Sequence, residues 1–174
     1  GSEGFIGSFL KIKLLESKYK IDCLVRGNKK LKNLKNLRYI KSDISKEINI
    51  PNGKYDAILH CAAVSPTPNI KKNDYLKNNV EATKNIISLA KKCRTKKIIF
   101  LSSVSVYGKI NSNFINEKTK IIKPDDYGKS KLMCEKLLQN EKKHFSSLSI
   151  RLPGVIGKKS VRNWLTKTLY AIKH

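Results

Sequence analysis

An α/β fold with a parallel sheet covered on both faces is predicted by three features of this sequence. Short β-rich apolar runs alternate with helix-length segments in which apolar residues recur at the helical period. A turn with glycines at 1, 4 and 7 opens the first helix. Residues able to do chemistry recur just after the strands, where open parallel sheets place their ligands. The 174 residues suit one domain, 1–174, large enough to bury a core, with no internal repeat and no low-complexity linker.

The elements follow in order. Gly1-Ser2-Glu3-Gly4-Phe5-Ile6-Gly7 precedes an apolar helix pattern of Phe9, Leu10, Ile12, Leu14 and Leu15. Such glycines allow a tight turn, close backbone approach and a phosphate at the helix N-terminus. That kind of turn is expected directly after a strand, so a strand is expected ahead of Gly1. Ile21 to Val25 reads as a buried strand ended by Arg26-Gly27-Asn28. Leu37 to Lys41 is a second strand leading to Ser42-Asp43-Ile44, and Ala57 to His60 a third, running into Cys61-Ala62-Ala63 and a loop with Pro66 and Pro68. From about Tyr75 to Cys93 the spacing of Leu76, Val80, Ile86, Ile87, Leu89 and Ala90 predicts a long helix. Lys97 to Ser102 is a fourth strand, ending in Ser103-Val104-Ser105-Val106-Tyr107-Gly108. A polar loop of about 15 residues follows, long enough to suggest a functional loop. A helix then starts near Tyr127 and runs to about Asn140; Ser147 to Leu152 is a fifth strand, followed by Pro153-Gly154-Val155-Ile156-Gly157. Trp164 to Ile172 reads as a last helix.

The formal charge of +24 raises a polyanion-binding reading, but 32 of the 37 basic residues are Lys, spread along the whole chain. Bidentate phosphate or base recognition favours Arg, and the few aromatics do not interleave with the basic residues as a stacking platform requires. The Lys, Asn and Ile richness matches the drift of an adenine/thymine-rich genome, and no dedicated nucleic-acid partner is expected. Cys23, Cys61, Cys93 and Cys134 lack metal-ligand spacing and read as small buried side chains, so no metal is expected. No apolar stretch reaches membrane-spanning length and no signal peptide is present, so a cytoplasmic protein without a membrane partner is expected.

Tyr127 and Lys131 stand four apart in Tyr127-Gly128-Lys129-Ser130-Lys131, one above the other on a helix face. A phenol is a poor base at neutral pH, and a neighbouring ammonium favours the phenolate. Such a pair can take a proton from a hydroxyl and return one.

With that pair in place, the motifs resemble, over essentially the whole chain, those of the extended short-chain dehydrogenases/reductases, in the NAD(P)-dependent nucleotide-sugar epimerase/dehydratase group. Gly1, Gly4 and Gly7 match G-x-x-G-F-I-G; Asp43-Ile44 matches the pair beside the adenine; His60-Cys61-Ala62-Ala63 matches H-x-A-A. Asn79-Val80-Glu81-Ala82-Thr83 resembles N-V-x-G-T, with Ala82 where Gly is usual, and Ser102 to Gly108 matches S-S-x-x-V-Y-G. Tyr127 to Lys131 matches Y-x-x-x-K, and Arg151 to Gly157 resembles R-x-x-x-V-Y-G.

The resemblance implies a Rossmann-type doubly wound parallel sheet, here without its first, central strand and most of a C-terminal substrate domain, as in a piece of a longer enzyme that is a homodimer. It implies Ser103, Tyr127 and Lys131 as catalytic residues: Ser103 orients the reacting hydroxyl, Tyr127 removes its proton, and Lys131 lowers the tyrosine pKa and holds the nicotinamide ribose. It implies cofactor contacts from Gly1, Gly4, Phe5, Ile6, Gly7, Arg26, Asp43, Ile44, Cys61, Ala62, Ala63, Asn79, Tyr127, Lys131 and Pro153. His60 is expected to be a packed or turn-bonding histidine and Tyr107 a wall residue. Arg26, with Lys29 and Lys30 beyond it, favours NADP over NAD. Val104-Ser105 stands where sugar dehydratases of the family carry Asp-Glu, which disfavours water elimination. The implied activity is an epimerase or ketoreductase of a nucleotide-linked sugar; the rivals are a reductase of a non-sugar carbonyl and a silent dinucleotide-binding protein.

Overall fold

The computed structural model describes residues 1–27, 31–50 and 53–157. Helix α1 (Phe5–Glu16) leads into strand β1 (Ile21–Val25), followed by β2 (Leu37–Lys41) and β3 (Ala57–His60). Then come α2 (Lys72–Tyr75), a π-helical turn (Leu76–Glu81) and α3 (Ala82–Lys92), strand β4 (Lys97–Ser103), a 3-10 turn (Val104–Tyr107), α4 (Asp126–Asn140) and β5 (Ser146–Leu152). The five strands fall where the apolar runs place them. The expected helix at 75–93 begins earlier, at Lys72, and is widened in its middle by the π turn. The expected helix at Trp164 to Ile172, and Lys29 and Lys30, lie outside the described residues.

Among the described residues every pairing between these strands is parallel, as the alternation of strands and helices predicts. The strands form two sheets, β1–β2 and β3–β4–β5. Ile21 to Val25 register with Leu37 to Lys41, and Ala57 to His60 with Lys97 to Phe100. Among the described residues β1 pairs only with β2, and β3 only with β4. Among the described residues, one edge of β1 and one edge of β3 therefore have no ladder partner.

Helices α3 and α4 cover one face of β3–β4–β5. Val80, Ile86, Ile87 and Ala90 pack with Ile98 and Phe100 of β4 and with Cys134 and Leu138 of α4. Alternation on β4 sends Ile98, Phe100 and Ser102 to this face and leaves Ile99, Leu101 and Ser103 half-buried on the other.

His60 enters this core as a packed residue, as expected. It is 3% exposed, tilted against Phe100 with ring centroids 5.2 Å apart, and its Nε2 lies 3.1 Å from Thr83 Oγ1. The Thr83 hydroxyl donates to Asn79 O at 2.7 Å, so its oxygen accepts from His60, which is the Nε2–H tautomer. Burial, with smaller contributions from Lys131 and the N-terminal amine, lowers the His60 pKa from 6.5 to about 3. Between these values the unfolded chain binds a proton that the folded chain does not, so stability is full above the unfolded pKa and falls on acidification. From pH 7 to pH 5 this one group is expected to remove about 2 kcal/mol. Urea melts at both pH values, compared with His60→Asn, check it: the variant is expected to lose less on acidification, and an equally steep loss would assign the titration elsewhere.

Candidate functional site

The glycine turn, the residues after β1 and β3, and the ends of β4 and β5 lie where the strands finish. Gly4 caps α1 in an extended conformation, donates to Gly1 O at 3.1 Å, and has no capping side chain; no acidic residue occupies the first turn. The first N–H groups of α1 therefore face no carboxylate of their own helix, a setting that favours an anion. The turn is closed tightly. A Cβ on Gly7 would lie 2.0 Å from Gly1 O, and one on Gly1 would lie 2.4 Å from Ala62 N. Gly1 thus rests directly on the Cys61-Ala62 turn after β3, joining two stretches 60 residues apart. A cleft beside it is lined by Gly1, Gly4, Leu24, Val25, Arg26 and Gly27.

Arg26 is exposed at the end of β1 and donates weakly to Asn78 Oδ1 at 3.4 Å. Asp43, after β2, accepts from Ser45 N at 3.0 Å and from Ser45 Oγ at 2.8 Å. The Ser45 N–H bond chiefly holds its carboxyl below the usual range, and Arg26 adds to this. Ile44 is half-buried, its carbonyl accepting from Asn85 Nδ2 at 3.0 Å. Pro153, just beyond β5, and Ala63 are exposed, while Phe5, Ile6, Cys61 and Ala62 are half-buried.

At the end of β4, Ser103 caps the 3-10 turn, its hydroxyl oxygen accepting from Ser105 N at 3.1 Å. Asp125 caps α4 by accepting from Gly128 N at 2.6 Å, which fixes Tyr127 in the first turn. Gly128 allows the approach of the two elements, since a Cβ there would lie 2.2 Å from Ser105 O. Tyr127 is thereby brought beside Ser103. Its ring also tilts against Tyr75, with centroids 5.8 Å apart. Burial raises the Tyr127 pKa, and the neighbouring Ser103 hydroxyl works against this rise.

Lys131 is 2% exposed and its Nζ lies over the Phe100 ring, 4.1 Å from the centroid. Burial lowers its pKa to about 8, opposed by Cys134, Glu135 and Cys61. The expected depression of the tyrosine pKa by Lys131 is not met in this conformation. The ammonium lies over Phe100, and burial of the phenol dominates.

Asn79 also differs from a direct cofactor contact. It is 2% exposed, and its amide accepts from Val64 N at 2.8 Å while donating to Val64 O at 3.3 Å and Ser130 Oγ at 3.0 Å. Its influence on a ligand would pass through the 61–64 loop that it braces. The π turn presents this residue inward; Asn79 O accepts from Thr83 and from the Cys134 thiol. Tyr107 is a buried wall residue as expected, its hydroxyl donating to Asn116 O at 2.8 Å. Gly108, with φ of 68°, then starts the long loop, whose neck is closed by Lys109 N to Ile122 O and Ile122 N to Tyr107 O.

Sequence reasoning missed the contact that the buried Glu135 makes with Ser102 and the half-buried Arg151 beside this cluster. The available signal was periodicity: Glu135 follows Tyr127 and Lys131 at helical spacing on a face otherwise being buried. Together, the hydroxyls of Ser103 and Tyr127 form a pair able to hold a ligand hydroxyl and exchange its proton.

A family model described as the NAD dependent epimerase/dehydratase family matches residues 1–174. The chain is similar to a UDP-glucose 4-epimerase of Caenorhabditis elegans, 30% identical over 165 residues that cover 79% of this chain and 47% of that protein. Its fold matches a crystal structure of a UDP-galactose 4-epimerase with a TM-score of 0.82 at 23% identity, covering 99% of this chain and 61% of that one. It also matches a UDP-glucuronic acid 4-epimerase from Bacillus cereus, solved with NAD, with a TM-score of 0.76 at 25% identity, covering 92% and 57% of the two chains. The chain spans about half the length of the curated relatives it matches.

Proposed function

Because this chain belongs to the NAD-dependent epimerase/dehydratase family, an extended short-chain dehydrogenase/reductase family, we propose that it carries the dinucleotide-binding and proton-transfer part of a nucleotide-sugar 4-epimerase. The observation that carries the reading is the tight approach of α4 to the turn after β4, Gly128 against Ser105 O, which brings Tyr127 beside Ser103, on an α4 face that also bears Lys131. The glycine turn fits a dinucleotide, since its α1 N–H groups have no side-chain cap and side chains on Gly1 and Gly7 would fill the turn. When bound, the nicotinamide supplies the place to which hydride leaves the sugar and from which it returns.

Ser103 holds the sugar hydroxyl, and Tyr127 takes its proton as the carbon becomes a ketone, then returns a proton to the alkoxide once the carbon has been reduced from its other face. Two electrons leave the sugar and two come back, so the net change is inversion. Ser103 and the Lys131 ammonium are the groups at hand to favour the phenolate that this step needs. Val104 and Ser105 bring no carboxylate to the turn, which supports epimerisation over elimination. Incubation of the whole natural protein with dinucleotide and UDP-glucose or UDP-glucuronic acid, followed by proton NMR, tests the reading. Interconversion of the C4 epimers without accumulation of reduced cofactor is expected; stoichiometric reduced cofactor, or no change in any nucleotide sugar, would overturn it.

Arg26 supports NADP over NAD, because an exposed guanidinium at the end of β1 suits a 2′-phosphate. NADP is expected to bind more tightly, and Arg26→Asp to reverse the order. The lost charge-assisted contact corresponds to about 1.5–3 kcal/mol, before the repulsion of the new carboxylate. Equal titration curves for both cofactors in the parent protein would refute this preference.

A further inference from the structure

Glu135, which is buried, and Arg151, which is half-buried, form an ion pair that the proton transfer does not use. Glu135 lies on α4 one turn beyond Lys131 and two turns beyond Tyr127, on the same face, and is 2% exposed. Its carboxylate accepts from Arg151 Nη2 at 2.7 Å, from Arg151 Nε at 3.1 Å and from the Ser102 hydroxyl at 2.5 Å. Ser102 adjoins Ser103 on β4, and Arg151 is its register partner on β5. One carboxylate thus ties together the helix that bears Tyr127, the strand that ends in Ser103, and the neighbouring strand. The guanidinium also covers the Tyr107 ring, 4.7 Å from its centroid, at the end of the turn that Ser103 begins.

We infer that the Glu135–Arg151 pair is a positioning device that fixes the height of α4 against β4, and so the meeting of Tyr127 with Ser103. The inference rests on the reading of those two residues given above. A two-pronged guanidinium–carboxylate contact sets both distance and angle, whereas apolar packing alone tolerates small shifts of a helix. Buried ion pairs are weak stabilisers compared with apolar residues of similar volume, so the stability and the positioning of α4 can be separated. The pair also shapes the surroundings of Lys131. Facing that ammonium are Cys134 and Glu135 from α4, His60 and Cys61 from the end of β3, and the Phe100 ring from β4. Burial raises both thiols and keeps His60 neutral, leaving Glu135 as the anion of this group.

The test uses the whole natural protein. The double variant Glu135→Leu/Arg151→Met removes both charges together and leaves no lone buried ion. It is expected to melt cooperatively and bind dinucleotide as the parent does, while kcat falls about tenfold to a hundredfold with little change in KM. The pH midpoint of Lys131, followed by the NMR shift of its isotope-labelled ε-carbon, is expected to move down. Glu135→Asp keeps the charge but shortens the reach; it is expected to lower kcat similarly with the Lys131 profile unmoved. Should the double variant fail to fold, Glu135→Asp decides alone, and parental kcat in it overturns the inference. A folded double variant with parental kcat or an unmoved Lys131 profile overturns it as well. Tyr127→Phe, assayed alongside, separates the two readings: parental turnover there sinks the proton-transfer assignment, while the Lys131 profile, which needs no turnover, still judges the pair.

Discussion

Tyr127→Phe in the whole natural protein is expected to lower kcat by about 10²–10⁴-fold, the usual contribution of a positioned acid or base. Dinucleotide affinity is expected to stay within about twofold, because only a hydroxyl group is removed and the ring remains against Tyr75. The direction follows from the site's electrostatics. Burial raises the Tyr127 pKa, so at neutral pH the phenol carries its proton. To act as a base it needs help from neighbours that favour the phenolate. Ser103 gives part of that help already, and the Lys131 ammonium stands one helical turn away. Lys131→Ala is expected to weaken turnover and cofactor binding together, since its proposed contacts span both. The measurement is steady-state kinetics paired with a cofactor titration on each variant. A Tyr127→Phe enzyme with near-parental kcat would remove the assigned mechanism.

The fold was legible because its physical determinants are local. The runs Ile21 to Val25 and Ala57 to His60 are too short and too apolar to be helices, and each stops at a residue that suits a turn. Tyr127, Lys131 and Ser103 were legible because a four-residue helical spacing and a strand-end serine are visible without tertiary contacts. What stayed hidden depends on which groups meet in space. Lys131 could be expected beside Tyr127, but the Phe100 ring that holds its ammonium sits on a strand 31 residues earlier. The π turn at Leu76–Glu81 arises where Asn79 bonds across to Val64 and Ser130, and no periodicity encodes that competition. Glu135 gains its meaning only where Arg151 and Ser102, from two different strands, close around it.

Placing a five- or six-residue apolar strand ahead of Gly1 is expected to raise the melting temperature of the 174-residue chain, and the unextended chain is expected to be poorly stable. One edge of β1 and one edge of β3 have no ladder partner among the described residues. Gly1 stands at their carboxyl ends, against Ala62 beyond β3 and in one cleft with Leu24 and Val25 of β1. A segment leading into Gly1 is therefore expected to pair with these open edges. Each ladder bond made there is worth about 0.5–1.5 kcal/mol and each buried apolar side chain about 1.5–3 kcal/mol, against an ordering cost of about 1–2 kcal/mol per backbone residue. The balance is a gain of a few kcal/mol, or roughly 10 °C at the usual slope of about 2–4 °C per kcal/mol for a chain of this size. The extension also converts the Gly1 amine into a peptide group. That amine retains some surface, but crowding by its neighbours lowers its pKa below 8.0, chiefly through desolvation. A lowered pKa means that the unfolded chain binds the proton more readily, so the unextended chain loses stability as pH falls through the folded-state value. The gain from the extension is accordingly larger at pH 6 than at pH 9. Thermal melts at both pH values, with and without NADP, against a control extension of equal length interrupted by proline, decide the matter. A cooperative, cofactor-stabilised melt of the unextended monomer that matches the extended protein would show that the open edges of β1 and β3 do not limit the fold.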